Sequence, residues 1–137
     1  MAGPRIIEIS RGKKKDERGW VLFPLQNAPP ELTPDVIDWD SMHLVVSRPG
    51  AVRGNHYHPD QAEWLFLCAG ASIFSWEEDG AGRRVELTDG AYLIRIPPGL
   101  PHAVVNQGDE DSLLLAFREK GGSGETLGAK IFPDQRP

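Results

Sequence analysis

The 137-residue chain is about one domain's length, enough to bury a single core and too short for two ordinary domains. Its 15 lysines and arginines stand against 20 acidic residues, a net charge of −5 with no basic stripe, which argues against a nucleic-acid partner. The single cysteine, Cys68, allows no internal disulfide, no signal-peptide pattern is present, and no apolar run approaches the roughly 20 residues of a membrane helix, so a soluble, cytoplasmic protein with no membrane partner is expected.

The 15 glycines and 12 prolines divide the chain into short runs rich in β-branched and aromatic residues, without a sustained helical period. An all-β protein follows. The first strand is predicted over 6–9. The basic run Lys13-Lys14-Lys15, followed at once by Asp16 and Glu17, is read as a solvated turn, and the next strand is predicted over 21–25. Residues 28–40 form the one window open to a helix, and Pro29, Pro30 and Pro34 limit it to a turn or two, with Thr33 as N-cap. Further strands are predicted over 42–47, 64–68, 72–76, 84–87, 91–96, 102–106 and 112–118, a spacing that fits a sandwich or barrel. The glycine-rich stretch 121–124 is expected to be loose, within a flexible tail over about 120–137, and 129–132 to add an edge strand.

Three of the four histidines fall in two short segments that also carry a carboxylate and turn-forming residues. On an extended strand His56 and His58 share a face, and Glu63 begins a new strand after the turn at Pro59-Asp60-Gln61. His102 follows the rigid Pro97-Pro98-Gly99 turn. A lone His-x-His reads equally well as two surface histidines. With Glu63 and His102 added, the set suits one divalent transition metal ion (Zn, Fe, Ni, Mn, Co or Cu) with coordination positions left for water or substrate. Arg53, Asn55 and Tyr57 alternate with the metal-facing residues; Glu63, Arg53 and Tyr57 are the candidates for catalytic or substrate contact. His43 lies in the strand over 42–47 outside this pattern and is read as an ordinary strand residue. Glu63, Leu65 and Leu67 share the inward face of their strand. Trp64, Phe66 and Cys68 then point outward and need cover from a second sheet, the N-terminal strands or another copy of the chain, with Cys68 a small buried hydrophobe.

Gly50, His56, His58, Glu63 and Gly70 match the first motif of the cupins without departure, and Pro97, Gly99, His102 and Asn106 match the second, with Gly90 one residue further upstream than the pattern has it. The sequence therefore resembles the cupin family over residues 50–106. The resemblance implies a double-stranded β-helix barrel of jelly-roll type, a single cupin domain over 1–137, metal ligands His56, His58, Glu63 and His102, and a homodimer. Residues 52–58 and the Asp16-Glu17-Arg18-Gly19-Trp20 run are similar to cupins of nucleotide-sugar metabolism, including dTDP-sugar isomerases and capsular-polysaccharide enzymes. The expected function is a metal-dependent enzyme on a small polar molecule such as a nucleotide sugar, of isomerase or epimerase type. An iron-dependent dioxygenase and a non-catalytic small-ligand sensor are the alternatives.

Overall fold

The computed structural model describes residues 2–131. Its strands are β1 (Arg5–Glu8), β2 (Lys14–Asp16), β3 (Gly19–Val21), β4 (Ile37–Ser47), β5 (Val52–Tyr57), β6 (Glu63–Ala69), β7 (Ser72–Glu78), β8 (Ala81–Leu87), β9 (Tyr92–Ile96), β10 (His102–Asn106), β11 (Ser112–Glu119) and β12 (Leu127–Gly128). They form two five-stranded antiparallel sheets, in the orders β1-β9-β6-β11-β4 and β12-β5-β10-β7-β8, plus the small hairpin β2-β3. The all-β expectation holds: among the described residues there is no α-helix, and no helix is long and apolar enough to cross a membrane.

The alternation along β6 sorts its side chains as expected. Leu65 and Leu67 enter a cluster with Phe74, Ile94, Ile96, Val104 and Leu114, drawn from both sheets, and this is the inner core. Trp64 and Phe66 point the other way, into a second cluster with Leu93 and Phe117. The N-terminal segment covers that outer face. Leu22, Leu25 and Ala28 pack on it, and the Trp64 indole N–H donates to the Leu32 carbonyl at 2.6 Å while its ring stacks on Phe117. Cys68 lies half-buried at the edge of the same cluster.

This cover explains where the N-terminal third departs from the sequence reading. The strand expected over 21–25 ends at Val21, since Leu22 and Leu25 serve as the lid of the outer face rather than as sheet. Residues 28–40 hold no α-helix: prolines at 29 and 30 limit the chain to a 3-10 turn over Pro30–Leu32, and Ile37 already opens β4. Thr33 follows that turn instead of capping a helix, its hydroxyl donating to the Pro29 carbonyl. The basic run taken for a turn supplies β2, which pairs with β3 around Glu17 and Arg18. At the other end, the edge strand expected over 129–132 forms two residues earlier as β12, paired with Tyr57 and His56; Phe132 lies outside the described residues, as does 132–137 of the tail.

Removing the indole N–H with Trp64→Phe leaves the Leu32 carbonyl without its donor. Urea unfolding followed by circular dichroism is expected to show about 1–3 kcal/mol lost. A change under about 0.5 kcal/mol would show that the cover is not fastened at this bond.

Candidate metal centre

The site is assembled by a bulge in one strand and a turn that leads into the strand facing it. His102 on β10 stands opposite His56 on β5, but the next pairs run Ala103 to Gly54 and Val104 to Arg53, so Asn55 is the extra residue of a β-bulge. Two residues with positive φ, Gly54 at 90° and Asn55 at 55°, make the kink. A side chain at Gly54 would meet the His102 carbonyl at 3.0 Å, so the glycine allows the two ligand strands their close approach. The Pro97-Pro98-Gly99 turn is tied to the same place, since the Gly99 N–H donates to the His58 carbonyl at 2.7 Å.

The structure brings His56, His58, Glu63 and His102 together with one ligand atom each, all within 4.8 Å of one another. The His56 ring centroid lies 4.8 Å from those of both His58 and His102. Nε2 of His58 is 3.4 Å and Nε2 of His102 is 3.1 Å from the Glu63 carboxylate. Each of the two rings turns its other nitrogen to the backbone: Nδ1 of His102 to the Leu100 carbonyl at 2.9 Å, and Nδ1 of His58 to the Glu125 carbonyl at 3.4 Å with Thr126 Oγ1 at 3.2 Å. Carbonyls only accept, so Nδ1 carries the proton and Nε2 presents its lone pair to the site. His58 Nε2 and Glu63 Oε1 are buried without a hydrogen-bond partner among the described residues. Orphaned donors of this kind, in a buried three-imidazole, one-carboxylate set, fit a divalent transition metal.

The electrostatics agree. Burial holds His56 down at about 4, reinforced by His102, so its imidazole is neutral and able to ligate at neutral pH.

A pocket of about 60 Å³ opens beside the ligands, lined also by His43, Arg53, Leu65, Val104 and Leu114. Simple alternation puts Arg53 on the face of Asn55 and Tyr57. The bulge reverses the phase and brings Arg53 into the pocket beside Val104, where it donates to the Val46 carbonyl and lies 3.3 Å from the Ser47 hydroxyl. Tyr57 is not among the lining residues; it pairs with Leu127 of β12. The sequence reading missed two residues. His43, taken as an ordinary strand residue, lines the pocket. Arg118, in register with Glu63 across β11 and β6, has a buried Nε without a hydrogen-bond partner among the described residues, and its charge helps depress His56. Neither lies near a ligand in sequence, and strand pairing alone brings them close. Asn106, the last residue of the second motif, is a brace: its amide donates to the Ser47 and Glu110 carbonyls.

The described part of the tail, expected to be loose, is hydrogen-bonded to residues 55–61. The Gln61 amide donates to the Glu119 and Gly121 carbonyls, Asp60 accepts from the Ser123 amide and hydroxyl, and Ala129 donates to the Asn55 carbonyl. These bonds set Glu125 and Thr126 behind His58.

A family model described as "Cupin domain" matches residues 43–117, more than half of the chain, a span that contains His56, His58, Glu63 and His102. The chain belongs to the cupin family. Comparison with curated protein sequences gave no match. Among solved structures, this cupin is similar to a dTDP sugar isomerase from Desulfovibrio desulfuricans G20 (20% identity, 95% of this chain and 85% of that one, TM-score 0.75). It is similar to a mutant of the 3,4-ketoisomerase QdtA from Thermoanaerobacterium thermosaccharolyticum, in complex with TDP-4-keto-6-deoxyglucose (12% identity, 93% and 88% covered, TM-score 0.66). It also resembles the capsular polysaccharide assembling protein CapF from Staphylococcus aureus (20% identity, TM-score 0.57), covering 85% of this chain but only 33% of CapF. At these identities the likeness establishes the fold.

Thr126→Val removes a polar contact behind His58 while leaving the imidazole in place. Metal titration against a competing chelator is expected to show affinity lowered about tenfold, the lower end for a partner behind a ligand. An unchanged constant would mean that the tail does not orient His58.

Proposed function

We propose that this cupin is a metal-dependent enzyme of isomerase or epimerase type acting on a nucleotide sugar. The observation that carries the reading is the complete His56, His58, Glu63 and His102 set on the wall of a pocket that also holds Arg53. The sugar isomerases among its structural relatives support the substrate class. His56, His58, Glu63 and His102 would hold the ion, and the chemistry supplied by an ion held there is Lewis-acid polarisation of a substrate carbonyl or hydroxyl. Two of the Arg53 nitrogens are committed to Val46 and Ser47, which fixes the guanidinium with its remaining edge available to a phosphate or carboxylate. Leu65, Val104 and Leu114 make the rest of the wall apolar, so water is displaced when a substrate enters.

Elemental analysis of protein purified without chelator is expected to find about one transition metal per chain. His102→Ala should lower that occupancy far more than His43→Ala, and equal effects would overturn the ligand assignment. Turnover should appear in a panel of nucleotide sugars under anaerobic conditions, and Glu63→Gln should reduce it more than it reduces metal content. Turnover confined to small phenols, thiols or diketones with iron and dioxygen would instead establish the dioxygenase reading, and tight binding without turnover in either panel the sensing one.

We also propose a homodimer. The outer face of β4 exposes Trp39, Leu44 and Val46, with Phe23 beside them, an apolar row of the kind a second copy covers. Sedimentation equilibrium should give twice the chain mass, and Leu44→Glu should shift it to the monomer.

A further inference from the structure

The pocket contains a limited set of acid–base groups. Its titratable lining residues are His43, Arg53, His56, Glu63 and His102. Three of these belong to the candidate ligand set, and a guanidinium stays protonated at any working pH. The remaining lining residues named above are apolar. Among the described lining residues, a side-chain nitrogen or oxygen that can take a proton from a substrate, without also being claimed as a metal ligand, is therefore found only in His43.

His43 lines the pocket, and its ring is held by one nitrogen. Nδ1 of His43 lies 2.7 Å from the Ser41 carbonyl, an acceptor only, so Nδ1 carries the ring proton and is turned back to its own strand. Nε2, on the opposite side of the ring, has the lone pair. His43 pairs with Ala116 of β11, and Ala116 with Leu65 of β6, so one row of the sheet leads from His43 to the strand that carries Glu63. Two strand spacings, about 10 Å, separate β4 from β6, room for a reacting group to lie between the metal ligands and the imidazole. Arg53, reaching β4 at Val46, stands on the facing sheet.

We propose that His43 is the proton-transfer residue of this pocket, taking a proton from a substrate carbon beside a carbonyl. This rests on the isomerase reading above. Nε2 removes the proton, the C–H electron pair becomes the C=C of an enediol(ate), and the carbonyl π pair moves to its oxygen. The imidazolium then returns the proton to the former carbonyl carbon, while the neighbouring hydroxyl passes its proton to the enolate oxygen, so that the former carbonyl oxygen becomes a hydroxyl and the former hydroxyl the new carbonyl. The carbonyl moves by one carbon, atoms and electrons balance, and no oxidant or co-reactant is consumed.

The test compares wild type, His43→Asn and His43→Gln, all metal-loaded, on TDP-4-keto-6-deoxyglucose in D2O, following isomer formation and deuterium incorporation by NMR. Both variants are expected to keep wild-type metal content and a KM within about threefold, while kcat and carbon-bound deuterium incorporation fall about 100-fold or more. Long-range nitrogen–proton spectra of histidine-labelled wild type should show His43 protonated at Nδ1, with its Nε2 resonance moving on addition of TDP-4-keto-6-deoxyglucose. Variants that turn over and exchange like wild type would overturn the role of His43 and leave the isomerase reading standing. Loss of metal in both variants would make His43 a supporting residue and overturn the proposal equally. A wild-type protein that neither isomerises nor exchanges the substrate would overturn the isomerase reading itself, and the proton-transfer role with it.

Discussion

The buried carboxylate of Glu63, 4% exposed, is the constraint around which this molecule is organised. An ionised carboxyl inside a protein is costly unless cations or hydrogen-bond donors surround it. Here the neighbours are Nε2 of His58 and His102, 3.4 and 3.1 Å away with their lone pairs turned to the carboxylate, so the buried charge calls for the cation that these residues would hold between them. The imidazoles are buried too, so each needs its second nitrogen satisfied, and those partners come from other parts of the chain: Leu100 for His102, Glu125 and Thr126 for His58. One buried charge thus accounts for the rigid turn before β10 and for the fastening of the glycine-rich tail.

The same site depends on a local defect in the sheet. A regular β5 would turn Arg53 away from His56; the bulge inserts Asn55 as one extra residue and returns Arg53 to the pocket face. It also needs a glycine at 54, because any side chain there would press on the backbone of His102. Polar chemistry is thereby gathered at one end of the space between the sheets. Phe74, Ile94 and Leu100 are fully buried in the inner core, with Phe74 stacked on the His102 ring, and give these strands a stiff support.

On the outside of the first sheet, the chain solves a different problem with its own N-terminal segment. Trp64 and Phe66 follow from the alternation that puts Leu65 inward, so an apolar outer face is the counterpart of a well-formed inner one. Leu22, Leu25 and Leu32 cover its centre, and the apolar row along β4 remains open to solvent.

Much of this was legible in the residue order. The strand alternation of β6, the two motif segments, the all-β class and the His56, His58, Glu63 and His102 grouping all depend on spacings of a few residues, and short spacings translate directly into shared faces and tight turns. What the sequence alone determined is therefore local: which side chains lie on one face, where proline keeps any helix short, and which histidines stand beside a turn. The tertiary structure decided the rest. Arg53 enters the pocket only because two strands slip register at a bulge, and His43 joins it and Arg118 comes into register with Glu63 only because β4, β11 and β6 are neighbours in the sheet. The tail is held by Asp60 and Gln61, residues far from it in the chain. Register and strand neighbours are set by the packing of the whole core, and no short window of sequence contains both partners of such a contact.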